Sequence, residues 1–272
     1  MDYEPNRVKG IIPKLYGGLG NQLFIVSAAY STAKALGCPL YLPKNPNNHM
    51  NAHNTGIDYY ETILKGIGIH LDESEEIVLQ KLNAYNYFNN DGFASWNVHM
   101  IRQGTVLNSY FQFYPALESF EQTLQSLFLQ NLPIVSVPEN TGFLHVRRGD
   151  YLKHPNFHFI QPISYYTEAL YELMMKTNNK IKKIYIFSDD IHWIKSQTFF
   201  QQDLFHIVEE KDELVSLALM TQCNAGAICA NSTFSWWGAF LGAHVKRNPV
   251  IVPNRWVASQ VESLFPEEWI VL

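Results

Sequence analysis

Short apolar strands alternate with helices through the second half of this 272-residue chain, and that order leaves few folds open. Gly142–Val146 reads as a strand, Ser164–Lys176 as a helix, and Lys183–Phe187 as a strand with a short helix to Gln197. Leu204–Val208, Ala225–Cys229 and Val250–Val252 continue the strands. Helices over Asp212–Thr221 and from Ala230-Asn-Ser-Thr233 through Gly242 separate them. Parallel neighbours need such crossover helices, so the pattern predicts a mostly parallel sheet with helices on its faces.

The first half begins in the same way, with strand Val8–Leu15, helix Gln22–Leu36 stopped by Gly37, and strand Pro39–Pro43. Lys44–Asp58 is rich in Asn and His and has no periodicity, so it reads as a loop over a site. A helix is expected near Tyr59–Ile67, a strand at Thr105–Asn108 and a helix over Ala116–Gln130. The expected class is α/β, with an N-terminal domain over residues 1–138 and a C-terminal one over 139–272.

Composition removes several functions. A formal charge of −5 argues against general affinity for nucleic acid or acidic membranes, so any anion site must be local. No apolar run reaches the roughly 20 residues that span a bilayer, and the polar start Met1-Asp-Tyr-Glu-Pro-Asn-Arg7 is unlike a signal peptide. Cys38, Cys223 and Cys229 form no metal-ligand spacing and read as buried small hydrophobes in a reducing compartment. A cytoplasmic location is expected, without a metal or cofactor.

The chemistry concentrates at strand ends, where ligands bind in parallel sheets. His145-Val-Arg-Arg-Gly-Asp-Tyr151 follows a buried strand. A guanidinium stays charged and its fork suits phosphate oxygens. Neighbours in a strand point to opposite faces, so Arg147 and Arg148 can serve one ligand only if the backbone turns at Gly149. The alternative is structural, with Asp150 neutralising one arginine at the strand end. His145 is either a core histidine or a site residue, and His154 and His158 lie in the loop beside the arginines.

Gly17-Gly-Leu-Gly-Asn-Gln22 is a strand–turn–helix junction whose amides could approach a phosphate. Leu23 occupies the third-glycine position of a dinucleotide fingerprint, so that reading fails. Ala230-Asn-Ser-Thr-Phe-Ser-Trp-Trp-Gly238 opens a second helix, where Ser232 and Thr233 could hold a phosphate oxygen or where Asn231 or Ser232 could simply cap it. Trp236 and Trp237 read as core. Ser188-Asp-Asp190, with Trp193, could accept from ribose or base groups, and at least one of its carboxylates should cap the next helix.

Gly17-Gly-Leu-Gly-Asn-Gln-Leu-Phe24, His145-Val-Arg-Arg-Gly-Asp-Tyr151, Phe187-Ser-Asp-Asp190 and Asn231-Ser-Thr-Phe-Ser-Trp-Trp-Gly238 occur in that order. Together they resemble the motif set of the α-1,2-fucosyltransferases, glycosyltransferase family 11, over nearly the whole chain. The resemblance implies a GT-B architecture of two facing α/β domains. It implies GDP-fucose as donor, inversion at the anomeric carbon, no metal, and the 2-hydroxyl of a β-galactoside as acceptor. It makes Arg147 and Asp150 the catalytic candidates, with Asp150 expected to fix an arginine rather than act as a base. The donor set would be Gly18, Gly20, Asn21, His145, Arg147, Arg148, Asp189, Ser232 and Thr233. One departure stands out: Ser216 occupies a usually acidic position ahead of the Asn-Ser-Thr motif, where related enzymes recognise guanine, and Asp212 or Glu213 could substitute from one helical turn away. A related transferase using another nucleotide sugar, or a non-catalytic glycan- or nucleotide-binding protein, are the alternatives.

Overall fold

The structure is a computed structural model. It describes residues 10–43, 56–73, 75–81, 86–246, 248–257 and 263–272. The chain divides into two compact units, Met1–Asn131 with Glu262–Pro266, and Leu132–Val261 with Glu267–Leu272.

The first unit contains β1 (Ile11–Pro13), α1 (Leu19–Leu36), β2 (Tyr41–Pro43), β3 (Ile69–Leu71), α2 (Glu75–Lys81), β4 (Asn86–Asn89), β5 (Thr105–Asn108) and α3 (Glu121–Leu129). β1 pairs with β5 and β5 with β4, while β2 pairs with β3, all in parallel. A bridge between Ile11 and Leu40 ties the two groups together. α1 is buried over most of its length, which explains its run of Ala, Leu, Ile and Val, and Gly37 ends it in the left-handed region at φ 61°.

The helix expected at Tyr59–Ile67 is instead a chain of turns. Its apolar spacing is helical and Tyr59, Tyr60, Ile63, Leu64 and Ile67 are all buried. The hydrogen bonds, however, run Thr62 N–H to Tyr59 O and Leu64 N–H to Tyr59 O, and Gly66 and Gly68 turn left-handed immediately after. The packing pattern was legible; the backbone that delivers it was not. Ala116–Gln130 begins as 3-10 turns and becomes α-helical only at Glu121. The expected loop Lys44–Asp58 lies, up to residue 55, outside the described residues.

The second unit follows the expected alternation closely. It holds β6 (Thr141–Val146), α4 (Ile163–Lys176), β7 (Lys183–Ser188), α5 (Ile191–Ser196), β8 (Phe205–Ile207), α6 (Glu213–Gln222), β9 (Ala227–Ile228), α7 (Thr233–Lys246), β10 (Val250–Val252) and β11 (Ile270–Val271). The six strands form one parallel sheet in the order β11-β10-β9-β6-β7-β8. Leu144, Val146, Ile184, Ile186, Ile228 and Ile251 of these strands pack with Tyr166, Ala169 and Leu173 of α4. Trp236 and Trp237 are fully buried, as expected of core residues. Cys223 and Cys229 are buried; Cys38 is partly exposed, against the expectation for all three.

Sheet order positions the site. From β6 the chain runs outward through β7 and β8, then returns to lay β9, β10 and β11 on the other side of β6. The crossovers therefore diverge between β6 and β9, and loops leaving these two strands open a crevice at their carboxyl ends. Both the arginine motif and the Asn-Ser-Thr motif leave the sheet at this point.

A candidate site at the carboxyl ends of β6 and β9

Strand register sets the geometry. Val146 pairs with Ser188, so the residues after β6 stand beside those after β7. Asp189 reaches across this gap. Its Oδ1 accepts the Arg148 backbone N–H at 2.9 Å, and its Oδ2 accepts the Gly149 N–H at 3.0 Å. The same Oδ2 meets Arg147 Nε at 3.1 Å. Asp189 thus shapes the arginine loop from the adjacent strand instead of facing outward as a free acceptor for a ribose.

Gly149 belongs here for space rather than for backbone freedom. Its φ is −36°, outside the left-handed region. A Cβ at this position would lie 2.7 Å from Asp189 Oδ2. The backbone does turn at Gly149, as expected, and what demands glycine there is the close approach of a carboxylate.

Each arginine has carboxylate partners within the chain. Arg147 also places Nη2 2.8 Å from Asp150 Oδ1, and Arg148 places Nε 3.3 Å from Asp190 Oδ2. The structural alternative for Asp150 therefore holds in part: it does fix an arginine. Trp193 backs Arg148, with the guanidinium carbon 4.0 Å from the ring centroid, a favourable cation–π distance. Nη1 of Arg147 and both Nη groups of Arg148 have no partner among the described residues, so each fork keeps donors for a ligand. The cluster sets two guanidiniums against three carboxylates, so it carries no excess positive charge. Asp190 is the expected cap: its Oδ1 accepts the Trp193 N–H of α5 at 3.0 Å.

His145 is 4% exposed on β6. Burial pushes its pKa down to about 3, with Asp189 opposing the shift and Arg147 adding to it. It is neutral at physiological pH, and its Nδ1 has no hydrogen-bond partner. His158 stacks on Tyr151, with centroids 3.9 Å apart and planes 5° from parallel, and burial lowers its pKa too. His154 sits on the exposed side of this loop.

The loop after β9 is braced by groups that the sequence reading treated otherwise. Asn231 does not cap α7 with its side chain. Its Nδ2 donates to Phe159 O at 2.7 Å and to Trp256 O at 2.8 Å, joining the loops after β6 and β10. Tyr151 Oη donates to Asn231 O at 2.7 Å, while Arg147 lies 5.5 Å from the Tyr151 ring centroid. Ser232 and half-buried Thr233 then stand at the amino end of α7. Motif order could not reveal these braces, because Tyr151, Phe159 and Trp256 come from two distant loops. A tyrosine at the end of the arginine motif was the one available signal.

Asp212 caps α6, accepting the N–H groups of Leu214 and Val215. Ser216 lies one turn further on and is buried. In the first unit, Gly18 is the N-cap of α1, Gly20 is buried behind it, and Asn21 Oδ1 accepts from Gln112 Nε2 at 3.1 Å. The structure thus gathers His145, Arg147, Arg148, Asp150, Asp189, Ser232 and Thr233 along one edge of the second unit's sheet; Gly18, Gly20 and Asn21 belong to the other unit.

The sequence profile of Glycosyl transferase family 11 matches residues 95–272, which include every strand of this sheet. The chain belongs to that family. Among relatives of this family 11 glycosyltransferase is the O-antigen biosynthesis glycosyltransferase WbnK of Escherichia coli. It is 27% identical over 303 aligned positions, covering 95% of this chain and 99% of WbnK. An alpha-1,2-colitosyltransferase of Escherichia coli is 31% identical over 140 positions, 48% of this chain and 47% of that protein. The crystal structure of POFUT1 in complex with GDP superposes with a TM-score of 0.53 at 14% identity, over 92% of this chain and 98% of that one. At such identity the likeness speaks for the fold, and the α/β, GT-B-type class expected from the sequence holds. Among the described residues no helix is long and apolar enough to cross a membrane.

Proposed function

We propose that this family 11 enzyme is an inverting, metal-independent α-1,2-fucosyltransferase that moves L-fucose from GDP-fucose to a glycan hydroxyl, O2 of a galactoside. The observation carrying this reading is the divergence of crossovers between β6 and β9, with Arg147 and Arg148 on one side and the amino end of α7 on the other. Breaking the bond from fucose to diphosphate leaves negative charge on the departing oxygen. Preorganised donors gain most as that charge develops. The unpartnered Nη groups and the first-turn amides of α7 are such donors, and Asp189, Asp150 and Trp193 fix their directions.

In this reading Arg147 is the principal diphosphate contact and Arg148 its neighbour. His145 lies near the nucleotide as a neutral group. Ser232 and Thr233 hold a phosphate oxygen, and Gly18, Gly20 and Asn21 complete the donor set. Asp150 positions Arg147. No side chain serves as a strong base; an oxocarbenium-like transition state lets the acceptor hydroxyl lose its proton late. A cytoplasmic location fits the use of a soluble nucleotide sugar.

A second reading keeps the transfer and changes the donor. Ser216 stands where a carboxylate would pair with guanine, and Asp212 is held in place as a helix cap. A hydroxyl cannot match a carboxylate bound to two donors. The name of the colitosyltransferase relative shows that a matching sequence can use a different sugar. Incubation with GDP-fucose and a panel of β-galactosides, read by product mass, tests the first reading. Thermal-shift titration with GDP, UDP and dTDP identifies the nucleotide, since the one bound by the native state raises its melting temperature, and product mass identifies the sugar. Arg147→Ala should lower transfer by orders of magnitude with an unchanged fold; near-normal turnover in that variant would refute the assignment.

A further inference from the structure

The sheet of the first unit has its own divergence point. β1 lies between β5 on one side and, through the Ile11–Leu40 bridge, β2 on the other. The chain leaves β1 toward β2 and returns beside it at β5, so loops after β1 and β5 open a crevice between them. The side chains standing there are uncharged: Tyr16 and Asn21 after β1, Tyr110 and Gln112 after β5. Lys14, the first residue after β1, and Asp91, beside these loops, point to solvent as exposed residues. Amides and phenols replace the arginines and carboxylates of the second unit.

This group is built, not incidental. Tyr110 is wedged between two glycines: a Cβ on Gly17 would lie 3.3 Å from its Cε1, and one on Gly92 3.3 Å from its Cδ2. The Tyr16 ring stands against it, with centroids 4.7 Å apart and planes tilted 53°. Partial burial raises both phenol pKa values, so both hydroxyls keep their protons, and neither has a hydrogen-bond partner among the described residues. Between Tyr110 and Gln112, Phe111 holds a left-handed φ of 54°. That conformation is strained for a bulky residue, and packing between Phe88 and Trp96 sustains it. The result fixes the directions of the two polar neighbours. Gln112 is 4% exposed, donates through Nε2 to Asn21 Oδ1, and leaves Oε1 buried without a partner.

We propose that Tyr16, Tyr110 and Gln112 form the subsite for a neutral pyranose, the acceptor sugar of the transfer reaction. The tilted tyrosine pair offers an apolar face to the C–H side of the ring. The phenol hydroxyls and the Gln112 amide bond its hydroxyl groups, and none of these three side chains carries a charge that would favour a phosphate. This assignment rests on the glycosyl-transfer reading and adds to it the residues that choose the acceptor.

The test uses the full chain and two measurements. Initial rates with GDP-fucose and N-acetyllactosamine are compared for wild type, Tyr110→Phe and Tyr16→Phe. Tyr110→Phe keeps the wedged ring and removes only its hydroxyl. The acceptor KM should rise at least tenfold while the donor KM moves less than twofold. Saturation-transfer NMR with methyl β-galactoside, without any donor, should lose its signal in Tyr16→Ala. Melting temperature and GDP binding confirm folding, and Tyr16→Phe serves if the alanine variant unfolds. A donor KM that moves while the acceptor KM does not, or undiminished galactoside signals in folded variants, would overturn the subsite. Wild-type galactoside binding that depends on these tyrosines, with no turnover of GDP-fucose, would support the subsite and reject the donor assignment alone.

Discussion

Gly149→Ala is the sharpest test of how the arginine loop is held. The added methyl would stand 2.7 Å from Asp189 Oδ2 and 3.1 Å from its Cγ. To restore ordinary contact the carboxylate must retreat by about 0.7 Å. It cannot do so freely, because it accepts from the backbone of Arg148 and Gly149 and from Arg147 Nε. Hydrogen bonds to charged groups contribute about 1.5–3 kcal/mol each, and a quarter-exposed carboxylate gives the lower end. Weakening these contacts together should cost about 2 kcal/mol. If the clash is the cause, Asp189→Ala removes it, and in that background Gly149→Ala should cost less than about 0.5 kcal/mol. Urea unfolding of the four proteins yields the coupling directly. Additive effects would refute the account of Asp189 as the residue that shapes the loop.

Three further outcomes follow from geometry already described. His145 is buried and neutral with its pKa pushed down to about 3, so the unfolded chain takes up a proton first, and stability should fall between pH 6.5 and 3. That slope is about 1.4 kcal/mol per pH unit from this group, and His145→Gln should flatten it in pH-dependent unfolding; an unchanged acid limb would contradict it. Asn231→Asp turns a buried donor to two carbonyls into an acceptor and should cost about 3 kcal/mol or more in urea unfolding. Tyr151→Phe loses the bond to Asn231 O but keeps the ring against His158, so thermal melts should show a loss of about 1 kcal/mol, well short of the cost of Tyr151→Ala.

What could be read from sequence depended on how local the deciding forces were. The strands from Thr141 to Val252 are short apolar runs bounded by helices, and each lies where the pattern placed it. β3, β4, α2 and β11 are not legible in the sequence because they are brief and at least partly exposed, as at Asn86–Asn89. Tyr59–Ile67 has the periodicity of a helix face, yet left-handed Gly66 within it and Gly68 just after it turn the chain. At the candidate site, the motifs identified which residues meet at the sheet edge. They could not say which carboxylate holds which guanidinium, since that depends on the Val146–Ser188 register and on the room left by Gly149. Asp189 and Asn231 therefore emerged as braces only in three dimensions.

The surplus of acid beside Arg147 and Arg148 has a bearing on selectivity. Bare guanidiniums would draw every passing sulfate or nucleotide by long-range attraction. Here their field is outweighed at a distance by the three carboxylates, and only a guest whose oxygens fit the open ends of the forks is rewarded. Capture by such an edge depends on shape at contact, so its speed should not fall as ionic strength rises.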